Sequence, residues 1–465
     1  ADEVAGINAA PYAREEGEEL ERYEWRLREQ RASIRAKRKL FKSTLDAANE
    51  ALEYEAIYFP TYFDFRGRVY SVEQGGLGPQ GSKVGRSLLM SGGTGKRANM
   101  DALFHELGNA WGFDKELIAQ KIEKARDLPY RAIAADPLGN TEWLATEEPA
   151  KALACCMEIV KVEENPEYLS RLFVGFDGTN NGLQHLALLT RDSDAAAATN
   201  VTSVPSVRRD IYREVAEAAA LLLDNESVTN HPKLRTLAKT PVMTVSYGVT
   251  AKGMLDQIAK ANAETGGLLT NEEVKSLRDG IQSSIRELLP KPMQLADWLT
   301  EVTRLVAESG TAPQWLTPSG TLVTPAAHRD YSDYAMRSVK LCGRRTNLPS
   351  FSKPTSIKVG KHVSGSVANL VHSLDADCLH LTVCALLDEG VTEMQMIHDS
   401  YAVLSADAEM LSRVLRAVHV EVYSSEVLSQ LHAQLQSLTE EVLPEPPELG
   451  ELDVKDVLSS PFFFS

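Results

Sequence analysis

Two short apolar segments, each carrying an aspartate where it turns, interrupt a chain whose text is otherwise mostly helical. The first is LFVGFDG (172 to 178), which runs into the small-residue turn and helix start Thr179-Asn180-Asn181-Gly182-Leu183-Gln184-His185. The second is MQMIHDSYAVL (394 to 404), with Ile397-His398-Asp399-Ser400-Tyr401 at its centre. Their composition predicts a strand in the first case and a strand, turn and strand in the second. Such a mix implies an α+β fold, a small sheet carrying isolated polar residues and surrounded by helices. Asp177 and Asp399 lie more than 200 positions apart, yet as strand-end residues they can converge on one sheet edge and hold two magnesium ions ~3.5–4 Å apart. Taken singly, each also fits a turn residue or a helix cap.

The remaining text divides readily. Residues 1 to 55 read as helical, with no breaker after Pro11. IYFPTYFDFRGRVYSV (57 to 72) reads as strand and turn, and Gly75 to Gly95 as loop. Helical patterns cover about 100 to 165 and 205 to 310, and an amphipathic helix is expected from about 407 to 440. Gly92-Gly93-Thr94-Gly95-Lys96 resembles a phosphate loop only superficially: Met90 stands where the first glycine is needed and Arg97 where Ser or Thr is needed. In RTLAKTPVMTVSYG, Arg235, Lys239, Met243 and Tyr247-Gly248 recur at intervals of four, one stripe of a helix. Cations at its start suit a triphosphate and the tyrosine suits a sugar or base; an amphipathic helix with a surface Arg and Lys is the plainer reading. Pro241 implies either that the helix begins near Thr240 or that it kinks.

Charge needs local counting. With 49 basic and 65 acidic side chains in 465 residues, the net charge of -16 taken alone argues against a nucleic-acid partner. From Arg22 to Lys42, however, Arg22, Arg26, Arg28, Arg31, Arg35, Lys37, Arg38, Lys39 and Lys42 face only Glu24 and Glu29. From Arg337 to Leu374, Arg337, Lys340, Arg344, Arg345, Lys353, Lys358 and Lys361 occur with no acid. These can be solvated surfaces or the lining of a polyanion channel. Balancing acid gathers between Glu440 and Asp453. Cys155, Cys156, Cys342, Cys378 and Cys384 form no CxxC pair, which fits a reducing compartment. No stretch approaches ~18 uninterrupted apolar residues, and the first residues are polar and acidic, so an intracellular protein without a membrane is expected.

Together these elements resemble the bacteriophage-type single-subunit DNA-directed RNA polymerases, which share a palm, fingers and thumb architecture with the Pol I-type DNA polymerases. The likeness is carried by YFPTYFDFRGRVY (58 to 70), FDGTNNGLQH (176 to 185), the Arg235–Lys239–Tyr247–Gly248 set, WLTPSG (315 to 320), ANLVHSLDAD (368 to 377), IHDS (397 to 400) and PFFFS (461 to 465). It implies an α+β right hand, mostly helical around a small antiparallel palm sheet. Thumb-derived helices would occupy 1–55, palm segments 56–93, 168–195 and 373–465, a helical palm insertion 94–167, and fingers 196–372. Asp177 and Asp399 would be catalytic ligands of two Mg2+ ions, with the Gly178 carbonyl completing a site. Arg235 and Lys239 would grip the incoming triphosphate, Lys239 neutralising or protonating the pyrophosphate. Tyr247 would sit at the nucleotide sugar beside His372, and Lys115 would be a further triphosphate contact. His398 would support the priming end, Arg66 and Arg68 would hold the template–product hybrid, and Tyr212 would lie on the template side.

Phosphoryl transfer of this kind needs fixed cations more than a covalent nucleophile. Gly182 stands where the DNA enzymes resemble one another in carrying a blocking glutamate, so open space for a 2′-hydroxyl, and hence ribonucleoside triphosphates, is expected. DNA template and RNA product would be the macromolecular partners. The resemblance omits an N-terminal domain, which leaves three readings, a core fragment, a naturally compact polymerase, or one polypeptide of a split phage enzyme whose second polypeptide carries that part; the split enzyme is the favoured expectation, and a phage enzyme would work in the host bacterial cytoplasm. A Pol I-like DNA polymerase and a non-catalytic nucleic-acid-binding subunit of the same fold are the alternatives.

Overall fold

Helix α1 (Leu20–Ala51) follows from 32 residues free of glycine and proline and rich in strong helix formers. Its basic face is exposed, with Arg28, Arg31, Arg35, Lys37, Lys39 and Lys42 all turned to solvent. It docks through Thr44, whose hydroxyl donates to the Gly75 carbonyl at 3.0 Å. Gly75 and Gly76 have φ of +65° and +83°, and a Cβ on Gly76 would lie 2.8 Å from both Leu40 and Thr44, so glycine is what permits the approach. The computed structural model describes residues 2–7, 20–113, 116–202, 208–325, 334–341, 344–351 and 357–464.

The expected strand and turn is a hairpin, β1 (Thr61–Phe63) and β2 (Val69–Ser71), with Tyr62 opposite Tyr70 and their rings stacked at 5.5 Å. After a short helix α2 (Lys83–Ser87), strand β3 (Lys96–Arg97) pairs with β4 (Leu169–Ser170). The Gly-rich run before β3 is structural: Ser91 donates to Glu393, and Lys96 Nζ meets Asp407 at 2.7 Å. Between β3 and β4 stand α3 (Met100–Trp111), capped by the Asn99 side chain, α4 (Ile118–Arg126), α5 (Tyr130–Ala135) and α6 (Pro149–Glu164), which opens with proline in its first turn. Helix α3 packs against α4 and α6.

Strand β5 (Phe173–Asp177) leads into α7 (Asn181–Thr190), every residue of which is buried. Helices α8 (Ser193–Ala198), α9 (Ile211–Leu223), α10 (Glu226–Thr229), α11 (Leu234–Val245), α12 (Ala251–Glu264), α13 (Asn271–Leu288) and α14 (Pro290–Glu308) follow. Helix α9 packs on both α11 and α13. The helix does not start late: α11 begins at Leu234 and continues through Pro241, with Leu237, Ala238, Pro241 and Val242 on the buried side. Burial of that face offsets the hydrogen bond that proline removes.

Two hairpins come next, β6 (Trp315–Leu316) with β7 (Leu322–Val323) and β8 (Tyr334–Leu341) with β9 (Arg344–Phe351). The second carries Arg337, Lys340, Arg344 and Arg345 of the later basic run, and Lys358 and Lys361 stand at the start of the next helix; Lys353 lies outside the described residues, as do Cys342 and the proposed contact Lys115. Helix α15 (Val359–Asp388) is continuous, so the expected boundary at 372/373 falls inside one 30-residue helix. By length and composition alone it could cross a membrane, but 61% of its most apolar window is buried, and it carries the buried carboxylates Asp375 and Asp377. Strands β10 (Met394–Ile397) and β11 (Ser400–Leu404) complete the three-stranded antiparallel sheet β10-β11-β5. The single helix expected at 407 to 440 is two, α16 (Ala408–Ser424) and α17 (Val427–Gln436), because Ser425 takes an extended conformation. Both run against the core around α7, α14 and α15.

Candidate active site

Register brings the two aspartates together. Antiparallel pairing sets Ser400 opposite Asp177, and Ile397 opposite Ser400, so the tight turn His398-Asp399 closes at the end of the sheet where β5 finishes. His398 takes φ +53° in that turn, a left-handed conformation uncommon for a residue with a Cβ. Its ring lies edge-on to Tyr70, 4.9 Å between centroids, which ties the turn to the β1–β2 hairpin. Burial, and then Arg68, lowers its pKa.

Asp177 is exposed to solvent at the end of β5, with protein packed around its carboxyl. That crowding, and next the Asp399 carboxylate, pushes its pKa up to about 7, although the Gly178 N–H donates to its Oδ1 at 3.1 Å. Burial and Asp375 raise Asp399 as well. Two carboxylates that resist ionising side by side form the electrostatic deficit that a divalent cation fills. Magnesium is commonly held by one or two carboxylates plus substrate phosphate oxygens, so this donor pair fits it. Among the described residues no group of three or more His, Cys, Asp or Glu is arranged to hold a metal. The loop is backed by the carboxyl-terminal aromatics: Thr179 donates to the Phe462 carbonyl at 3.2 Å, and Phe464 lies edge-on to Tyr401 at 5.4 Å.

Beside this loop is a cavity of about 190 Å³ lined by Thr179, Asn180, Arg208, Tyr212, Arg235 and Lys239. Arg235 and Lys239, the first half of the expected stripe, thus line this cavity, whereas Tyr247 and Gly248 lie beyond the end of α11 at Val245. Arg235 donates to Asp210 and sits 5.5 Å from the Tyr212 ring centre. Lys239 is exposed and has no hydrogen bond or ion pair among the described residues. Tyr212, expected on the template side, is buried beneath Arg235 at the wall of this cavity, where burial pushes its hydroxyl pKa up to about 12.

Tyr247 and His372 come together as expected, 4.8 Å between ring centres at 42°. Arg66 Nη1 lies 2.6 Å from His372 Nδ1, and since a guanidinium only donates, the imidazole proton resides on Nε2. Burial, reinforced by Arg68 and Arg66, takes His372 down to about 3, so it is neutral. Arg66 and Arg68 are committed inward. Arg66 is bound by Asp64 and His372, and Arg68 by Asp375 at 2.7 Å, with side chains 19% and 11% exposed. Those partners hold both guanidinium groups against Asp64, His372 and Asp375.

Gly182 does not leave open space. A Cβ there would run into the Ser246 hydroxyl, lying 2.8 Å from Ser246 Cβ and 3.2 Å from Tyr247 Cε1. Glycine lets α7 pass against the end of α11, because that contact has no room for a side chain. Sequence reasoning also passed over Asp375, which accepts from Arg68 and from Asn181 Nδ2 at 3.0 Å and so joins the hairpin, α7 and α15. Burial opposes its charge, but His185 and Arg68 hold it well below the usual carboxylate range. Its place inside the ANLVHSLDAD motif was the available signal. Asp210, two residues before the candidate Tyr212, was likewise within reach of a reading of the sequence.

A profile of the DNA-dependent RNA polymerase family matches residues 95–443. The mitochondrial DNA-directed RNA polymerase of Mus musculus is 28% identical over 455 residues, covering 89% of this chain and 37% of that protein. The mitochondrial DNA-directed RNA polymerase of Homo sapiens is 30% identical over 452 residues, covering 89% and 36%. The chloroplastic DNA-directed RNA polymerase 3 of Nicotiana sylvestris is 27% identical over 485 residues, covering 96% and 48%. The chain thus spans less than half the length of these relatives. Among solved structures, the POL domain of Pol1 from M. smegmatis, in complex with DNA primer-template and dNTP, aligns at a TM-score of 0.33 and 16% identity over 54% of this chain and 37% of that one, too distant to bear on the argument.

Proposed function

The chain belongs to the DNA-dependent RNA polymerase family, and on that premise we propose that it is a template-directed polymerase core that adds ribonucleotides to an RNA 3′ end. The observation that carries this reading is the shared loop: Thr179 and Asn180, which follow Asp177 and Gly178, line the same cavity as Arg235 and Lys239. That neighbourhood supports a pairing of carboxylates for metal with cations for a triphosphate, as phosphoryl transfer requires. Asp177 and Asp399, with the Gly178 carbonyl, would hold two magnesium ions, which when bound supply Lewis-acid stabilisation of the reacting phosphate and activation of the attacking hydroxyl.

The chain's own groups account for the rest. Lys239 is free to meet the phosphates and to give a proton to the departing pyrophosphate. Arg235 is held by Asp210 and the Tyr212 face, so it meets an anion with its orientation already set. Tyr247 and the Nε2–H of neutral His372 would hold the nucleotide sugar. A deoxynucleotide would leave their donors unpaired, at a cost of about 1–3 kcal/mol. In this reading β5, β10 and β11 form the palm, the helices from α8 to α14 belong to the fingers, and α1 belongs to the thumb.

Extension of an RNA primer on a DNA template with ribonucleoside triphosphates is the test. Asp399→Ala removes several kcal/mol of transition-state stabilisation, so extension should fall by at least about 10³-fold; full activity in that variant removes the site reading. Deoxynucleotides used equally well would make the protein a DNA polymerase instead.

A further inference from the structure

Strand β5, which ends in Asp177, is an edge strand of the sheet β10-β11-β5. Exposed edges leave backbone donors and acceptors unpaired, and proteins normally cover them. Here two charged side chains do so. Glu106 of α3 accepts from the Gly175 N–H at 2.9 Å, and Lys151 of α6 donates to the Phe173 carbonyl at 2.9 Å. The two side chains also pair with each other at 2.8 Å, with 10% and 17% of their surfaces exposed. A carbonyl on one residue and an N–H two residues later are what a single residue of a further parallel strand would satisfy. Because backbone direction alternates along a strand, the outward-facing groups of Phe173 and Gly175 share their edge with those of Asp177.

We infer that Glu106 and Lys151 act together as positioning residues for Asp177, standing in for a missing strand and fixing the height at which β5 presents its carboxylate. The charges are matched to the job as well as to each other: only an acceptor satisfies the N–H and only a donor satisfies the carbonyl. Both residues belong to the α3–α6 helical layer, so that layer is clamped to the strand end, and neither residue touches the cavity. The inference rests on the metal-site reading given above.

Direct Mn2+ binding to the full chain, read from the electron paramagnetic resonance signal of free Mn2+, tests it without turnover. Asp177→Ala is the control and should abolish site binding. Glu106→Ala and Lys151→Met should weaken binding about 10-fold, the low end for residues that act through a ligand, with circular dichroism unchanged. Glu106→Gln should bind like the parent, because an amide oxygen still accepts from Gly175. The exchange Glu106→Lys with Lys151→Glu restores the ion pair but offers a donor to an N–H and an acceptor to a carbonyl, so it should remain weak. Recovery in that double variant, or parental binding in Glu106→Ala and Lys151→Met, overturns the inference while leaving the site reading intact. If Asp177→Ala binds like the parent, or the parent does not bind, the site reading fails and this inference with it.

Discussion

At the scale of single residues the informative group is Asp177, whose proton is retained up to about pH 7 because burial and Asp399 disfavour its charge. In the unfolded chain the same carboxyl ionises near its ordinary value of 3.8. Between those values the folded state binds the extra proton, so this group's contribution to stability is whole below about pH 4 and is lost as pH rises towards 7. Metal binding runs the other way, since the ligand must first lose its proton. Mn2+ affinity should therefore be flat above about pH 7.5 and fall close to tenfold per pH unit below 7, and a calorimetric pH series checks it. Added Mg2+ should stabilise the protein more at pH 8 than at pH 6 in thermal melts. Both aspartates were legible from their strand-end settings. Asp375 was not, because its importance comes from Arg68 and Asn181, which reach it from other segments.

Between elements, the site depends on two close passages. Gly182 of α7 lies against Ser246 at the end of α11. Gly182→Ala should cost about 1–3 kcal/mol through overpacking, and adding Ser246→Gly should recover most of it in urea denaturation. A glycine seen in sequence reads as empty space; here it is filled by a neighbour that no local pattern announces. The β10–β11 turn is the other passage. His398 at φ +53° tolerates asparagine but not a β-branched residue. His398→Val should be roughly 1–2 kcal/mol less stable than His398→Asn, measured by the same denaturation. Here the hairpin itself was readable from MQMIHDSYAVL, whereas its pairing with β5 and the break between α16 and α17 were decided by tertiary packing.

Over the whole molecule, the net charge of -16 conceals a basic α1 and a basic hairpin. On β8 and β9, Lys340 sits opposite Arg345, a like-charge pair that a sheet ordinarily avoids and that a polyanion would relieve. Arg28, Arg31 and Arg35 project from exposed positions of α1 at helical spacing. Replacing all three with alanine should weaken duplex DNA binding and flatten the dependence of log K on log salt by up to about 0.9 per lost phosphate contact, measured by fluorescence anisotropy across salt concentrations. Unchanged slope would mean that α1 faces away from nucleic acid. By itself the sequence determined the strands at 173–177 and 394–404, the two strand-end aspartates, the Arg235–Lys239 pair of α11 and the family likeness, because those are written in local periodicity and motif spacing. Only the tertiary structure decided that Arg66 and Arg68 turn inward, that Tyr212 lies beneath Arg235, that Gly182 is packed, and that Glu106 and Lys151 complete the edge of β5. Each of those depends on partners distant in the chain, and contact across such distances is set by packing, which no local window of residues contains.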